Sequence, residues 1–134
     1  MFGALDISTS ALVAQRTRLD TIAANLANSN SIYDAKNNYA PYRRRIPIFA
    51  PGDPDKGNDT GVHVTEIAFD RAPFRHVHIP GHPNADAAGM VLYPNVDPAM
   101  EMVNALDASR AYEANITAAE ATKNMMRTAL RLLA

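Results

Sequence analysis

The sequence has 134 residues, with 13 Lys and Arg against 14 Asp and Glu, and no cysteine. That length suits one domain with appendages, near-neutral charge gives no global attraction to nucleic acid or anionic lipid, and the lack of cysteine excludes disulfide frameworks, cysteine zinc sites and thiol nucleophiles. Apolar residues make up 47%, but Trp is absent and Phe and Tyr number only 4 and 5, so the core has to be aliphatic and alanine-rich.

The first residues, Met1-Phe2-Gly3-Ala4-Leu5-Asp6, carry no basic stretch, and Asp6 and Ser8 interrupt any apolar run, so no cleaved secretory signal is expected. The longest uninterrupted apolar runs, Ala11 to Ala14 and Met90 to Tyr93, fall far short of the ~20 residues a membrane helix needs, so direct membrane insertion is not expected either. All nine prolines lie between Pro41 and Pro98. Proline breaks helix interiors, so the two ends can be helical and the middle must be turns and strands.

In the N-terminal segment Leu5, Leu12, Leu19 and Leu26 recur every seven residues, and Ile22 widens the stripe. This spacing predicts a helix with a narrow apolar seam. Asn25, Asn28 and Asn30, with Ser29 and Ser31, end it, because short polar side chains compete for the backbone.

The middle offers Ile46, Ile48 and Phe49 as a short extended piece, an exposed loop over Asp53 to Asp59, and a strand over Gly61 to Phe69. Val62 and Val64 fall out of phase with Ile67 and Phe69 in that strand, which predicts a bulge. Phe74 to Ile79 and Met90 to Tyr93 read as further short strands.

The last segment opens with Asp97-Pro98, a capping residue followed by proline at the first helical position. Ala105, Tyr112, Ala119, Met126 and Leu133 again step by seven, with Ala108, Ile116, Ala129 and Leu130 in the adjacent row. That predicts an apolar face over roughly 35 residues, about 50 Å of helix. The expected fold is therefore α+β: two long terminal helices pairing as a coiled-coil-like hairpin, with a small β-rich, Pro/Gly-rich middle. The expected division is 1–40 with 96–134 as a terminal helical domain and 41–95 as the middle domain. Two exposed seams that so small a middle cannot cover must pair with each other or with further copies, and head-to-tail packing of that kind makes rings or helical assemblies.

Residues that could carry chemistry are few. His76, His78 and His82 lie close in sequence, and His63 could join them from a neighbouring strand, which is the basis of an alternative reading as a small His-ligated, metal-dependent enzyme. No carboxylate stands at a recognised ligand spacing, and turn and interface roles are the simpler reading. Arg43, Arg44 and Arg45 beside Tyr42 raise nucleic acid as a second alternative, although a solvated strand face or a contact to acidic neighbours suits three charges better. Tyr112 on the seam reads as core, and Asn115 beside it as a polar residue that fixes register.

Two strings make the sequence recognisable: Ser10-Ala-Leu-Val-Ala-Gln-Arg-Thr-Arg-Leu-Asp20 followed by Ile22-Ala-Ala-Asn-Leu-Ala-Asn28, and Ser109-Arg-Ala-Tyr-Glu-Ala-Asn115 followed by Lys123-Asn-Met125. Both resemble the terminal signatures of the flagellar rod and hook family of axial proteins. The middle strings Pro41-Tyr-Arg-Arg-Arg45, Gly61-Val-His-Val64 and Pro80-Gly-His-Pro-Asn-Ala-Asp86, the last leading to Gly89 and Tyr93-Pro-Asn-Val96, resemble those of basal-body proximal rod subunits. Ser31 stands where threonine is usual, Ile32 to Ala40 lacks a glycine pair often found there, and Met90 replaces an aromatic position.

The resemblance implies a non-enzymatic structural subunit without cofactor or metal, polymerising through its terminal helices into the axial drive shaft and transmitting torque. Implied partners are other rod subunits, copies of itself and the flagellar type III export apparatus, with no nucleic acid. The implied location is the periplasmic rod of the flagellar basal body, reached without a cleaved signal peptide. The expected assembly interface is Leu5, Leu12, Leu19, Ile22, Asn25, Leu26 and Asn28 with Ala105, Tyr112, Asn115, Ile116, Ala119, Met126 and Leu130. Tyr42, Arg43, Arg44, Arg45 and His82 are the expected middle-domain contacts.

Overall fold

A computed structural model of the chain describes residues 2–53 and 57–133. It runs α1 (Phe2–Ala27), β1 (Arg45–Asp53), β2 (Asn58–Phe69), β3 (Arg75–His78), β4 (Met90–Tyr93) and α2 (Pro98–Leu133). The architecture is α+β, two helices around a small antiparallel β region. Part of the loop expected over Asp53 to Asp59, residues 54–56, lies outside the described residues.

The helices pack on one another and run antiparallel, since Asn25 near the end of α1 meets Glu101 at the start of α2. Residues withdrawn from solvent on α2 recur at alternating steps of four and three: Glu101, Ala105, Ala108, Tyr112, Asn115, Ala119, Thr122, Met126 and Ala129. On α1 a matching row is Leu5, Ser8, Leu12, Gln15, Leu19, Ile22 and Leu26, while Ala14, Thr21 and Asn25, off this row, are more deeply buried than its leucines. Ile116 and Leu130, expected on this row, stand one position off it and are 37% and 66% exposed. The stripe continues from Tyr112 by three residues to Asn115, not by four, because it keeps the same four-three phase from Glu101 onward. The Asn115 amide donates to its own helix at Ala111 O, 2.7 Å away.

Helix ends follow local chemistry. The Asp97 carboxylate accepts from Ala99 N at 2.9 Å, so the first turn of α2 is capped as Asp97-Pro98 indicates. Asn28 bonds back to Ala24 O and receives Ser31 Oγ, closing α1. The segment lacking glycine, 32–40, makes a tight reversal instead with Asn37 at φ 60°, while Asp34 Oδ1 accepts from Lys36 N and Asn38 N at 2.8 Å each. Asn supplies the left-handed residue that a glycine would otherwise supply. Tyr39 OH then accepts from Leu92 N at 2.8 Å, tying this turn to β4.

β1 and β2 pair antiparallel, and the expected bulge is present: Ile48 opposes Glu66 and Phe49 opposes Val64, leaving Thr65 as the extra residue. β2 lies along α1. Val62 N donates to Ser10 Oγ at 3.1 Å near one end, and Asn25 bonds Arg45, the strand partner of Phe69, at the other. Ser10 to Asn25 rises ~22 Å along a helix and Val62 to Phe69 ~23 Å along a strand, so the two elements stay in step.

β3 pairs with β4 in a separate two-stranded sheet. The expectation that His63 and the later histidines occupy neighbouring strands is corrected here. The turn after Phe69 is held by Arg43 and Asn95, which bond Asp70 O and Ala72 O and send the chain away from β2. Among the described residues the buried apolar side chains of the core are small or branched, Ala14, Ile22, Ile32, Val91, Val96 and Ala108, in keeping with an aliphatic core.

Candidate functional site

The chain concentrates its buried polar chemistry where α1 ends, β1 begins and α2 starts. Asn25, in the last turns of α1, is almost fully buried and makes every hydrogen bond an amide side chain can make. Its Oδ1 accepts from Tyr42 OH and Arg45 N, both at 3.0 Å, and its Nδ2 donates to Arg45 O at 2.9 Å and to Glu101 Oε2 at 3.1 Å. One residue thereby ties α1 to the Tyr42–Arg45 segment and to α2.

Glu101, in the first turn of α2, is the largest fully buried side chain among the described residues. A carboxylate withdrawn from water needs a partner of opposite charge and satisfied lone pairs. Arg44 supplies the charge, with Nε 2.8 Å and Nη2 2.7 Å from Glu101 Oε1. Arg44 Nη1 lies 3.1 Å from Asp70 Oδ2, so the guanidinium bridges two carboxylates. Burial works against the charged Arg44, but the bonds to Glu101 and Asp70 outweigh it and raise its pKa. The carboxyl of Asp70 is held below its ordinary value chiefly by the N–H of Ala72, with the Arg44 guanidinium assisting against the effect of burial. Burial pushes the Tyr42 hydroxyl up, keeping it a neutral donor to Asn25.

The three arginines do three different jobs. Arg43 reaches Asp70 O at 2.9 Å and Ala72 O at 3.1 Å and lies 4.2 Å over the Phe74 ring, a cation–π contact. Arg44 forms the ion-pair bridge. Arg45 alone is exposed, with its guanidinium 5.6 Å and 5.8 Å from the rings of Tyr42 and Phe69. The expected solvated strand face is therefore limited to Arg45; its two neighbours are turned to internal partners because Asp70 and Glu101 lie on the other side.

Glu101, Asp70 and Asn95 were not singled out by sequence reasoning. Glu101 carried a readable signal, since it stands seven residues before Ala108 on the apolar stripe, where a carboxylate demands a cation. Asp70 and Asn95 carried none, because a turn and a loop far apart in the chain bring them to Arg44: Asn95 Oδ1 accepts from Arg44 N at 2.9 Å. The cluster also spans the division expected at residues 40/41 and 95/96.

Of the remaining expected site residues, Leu5, Leu12, Leu19, Leu26, Ala105, Tyr112, Ala119 and Met126 are half-buried, and Ile22 is buried, on the row between the helices. His82 accepts from Asn84 N at 3.1 Å and stacks on Tyr33 at 6.5 Å, and His63 Nδ1 is 2.9 Å from Gly52 O. The histidines of β2 and β3 belong to separate sheets, and the described residues hold no group of three or more His, Asp or Glu suited to a metal ion. No described helix is long and apolar enough to cross a membrane.

Chemically, the arrangement is a clamp: Glu101 joins Asn25 to Arg44, Arg44 joins Glu101 to Asp70, and Tyr42, Arg45 and Ala72 take up the remaining bonds of Asn25 and Asp70. Beside it runs a groove of about 370 Å³ lined by Arg18, Thr21, Ile22, Arg45, Ile46, Pro47, Phe49 and Asn104 over the clamp residues.

Comparison with known proteins gives a consistent result. Residues 5–31 match the family model described as flagella basal body rod protein, and residues 87–132 match that of the flagellar basal body rod FlgEFG protein C-terminal region. The chain is 39% identical to the flagellar basal-body rod protein FlgC of Bacillus subtilis, over 98% of this chain and 97% of that one. It is 44% identical to the protein of that name from Salmonella typhimurium, over 95% and 93% of the two chains. With the one from Aquifex aeolicus it shares 40% identity over 93% and 91%.

Proposed function

The chain belongs to the FlgC family of flagellar basal-body rod proteins and is a structural subunit of that rod, and from this premise we propose that it polymerises through its terminal helices into the proximal part of the axial drive shaft. The observation that carries this reading is the pair of matched rows turned from solvent, mostly apolar but with Ser8, Gln15, Glu101, Asn115 and Thr122 among them. Leu5 to Leu26 and Glu101 to Ala129 keep a four-three spacing over the length of both helices. That is the spacing of a coiled-coil seam, and in the assembled rod we take the helices to supercoil along it.

Its partners are other rod subunits and further copies of the chain. Large apolar side chains stay in water when the chain is alone, Leu132 and Leu133 at 84% and 86% exposure among them, and a neighbouring subunit is what would cover them. The assembly residues are those of the two rows together with Asn25, Asn28, Asn115, Ile116 and Leu130. Tyr42, Arg44 and the backbone of Arg45 hold the middle, residues 41–95, against the helical part, residues 1–40 and 96–134, through Asn25 and Glu101; His82 stacks on Tyr33 of that part, and Arg43 braces the middle internally at Asp70, Ala72 and Phe74. Torque is carried because the clamp makes helices and middle a single stiff body. We further propose delivery through the flagellar type III export apparatus to a periplasmic rod, without a cleaved signal peptide, and a packing role in place of a catalytic one.

The test is complementation of a deletion strain by Leu19→Asp and by Tyr112→Asp. Each variant is expected to be made but to abolish rods and swimming. Normal swimming with either would contradict the proposal.

A further inference from the structure

The outward side of α2 and the groove beside Ile46 are different faces of one chain with complementary chemistry. At the floor of the groove Glu101 is bonded by both Asn25 and Arg44. Above them the walls are apolar, Ile22, Ile46, Pro47 and Phe49, and the charges at the rim are Arg18 and Arg45, which form no salt bridge among the described residues.

On α2, Met102, Val103 and Leu106 face away from α1 and are 61%, 49% and 59% exposed. Asp107, Arg110 and Glu113 continue the same stripe at helical spacing, all exposed. From Pro98 to Glu113 the exposed charges of α2 are two acidic, Asp107 and Glu113, against one basic, Arg110. The first half of an outer helix face, apolar with Asp107 and Glu113 beside it, thus stands on the same chain as an apolar groove with a basic rim.

We propose that a second copy of the chain lays the outer face of its α2 into this groove, with Val103 and Leu106 against Ile46, Pro47 and Phe49 and with Asp107 against Arg18 and Arg45. Donor face and acceptor groove are not the same patch, so the contact is head-to-tail. Every copy can give and receive, and such contacts close into rings or extend as helices. The contact rests on the rod reading and adds which two faces meet between copies.

The absence of native cysteine makes cross-linking decisive. The full-length chain carrying both Ile46→Cys and Leu106→Cys replaces the wild type in its flagellated host, and isolated basal bodies are oxidised. A ladder at multiples of 14.5 kDa is expected. Basal bodies that contain the variant yet release only monomer overturn the contact while leaving rod membership intact. A product whose mass includes a different subunit overturns it by identifying another occupant. Should the double-cysteine chain not enter basal bodies, charge reversal decides: Arg18→Glu and Asp107→Arg each lose swimming and, combined, regain it. Failure to regain it overturns the contact. Absence of the wild-type chain from basal bodies overturns the rod reading itself.

Discussion

Arg44 Nη2 and Glu101 Oε1 lie 2.7 Å apart, and the glutamate side chain is 1% exposed against 24% for the arginine. The pair is therefore asymmetric: Arg44 keeps some water and a second carboxylate, whereas Glu101 depends wholly on its protein partners. Replacing Glu101 by alanine leaves Arg44 short of its main counter-charge and Asn25 with an unmet donor, which costs about 3 kcal/mol. Glu101→Gln keeps an acceptor for both and is expected to lose less. Urea unfolding followed by circular dichroism ranks the variants; a Glu101→Ala chain as stable as wild type would contradict the clamp.

Asp70 gives the clamp a pH signature. Its folded pKa lies below the ordinary 3.8, so its contribution is full above the ordinary value and is lost as pH falls through the lower, folded one. Thermal melting between pH 6 and pH 3 is expected to steepen its decline below about pH 4 in wild type. In Asp70→Asn the decline should be shallower, and identical profiles would contradict the assignment.

Gly61 reports on the seat of β2 against α1. Its φ is +91°, and an added Cβ would lie 2.7 Å from Ser10 Oγ. Backbone strain and the clash together are expected to make Gly61→Ala destabilising by about 1–3 kcal/mol. Gly81, with open space around it, serves as the control and should change stability by less than about 0.5 kcal/mol. Equal effects at both positions would mean that Ser10 and Val62 are not in contact.

Much of this was legible beforehand. Period and punctuation were enough for the two helices: the leucines of α1, the Asp97-Pro98 start of α2 and the absence of proline from both ends are local signals. The bulge was readable because Val62 and Val64 fall out of phase with Ile67 and Phe69. Long-range polar contacts were not readable. Nothing near Arg44 in the chain indicates Asp70, Asn95 or Glu101, and three consecutive arginines look alike until the fold turns two inward and leaves Arg45 outside. Asn115 and Ile116 were both expected on the seam, because both rows of α2 contain apolar residues and only packing against α1 puts Asn115 on the row and Ile116 off it.

Gln15 is a weak point on the row between the helices, since its Oε1 is buried without a hydrogen-bond partner. An unmet buried acceptor costs about 1–3 kcal/mol. Gln15→Leu is expected to raise the melting temperature of the isolated chain, and a lower melting temperature would show that the amide finds a partner in solution.

Rod assembly in cells carrying Glu101→Ala joins clamp to function in one measurement. Electron microscopy of basal bodies from a deletion strain expressing this variant is expected to show no completed rods while the chain is still synthesised. Full rods and normal swimming would mean that the buried bridge from Asn25 through Glu101 to Arg44 is not what readies the subunit for assembly.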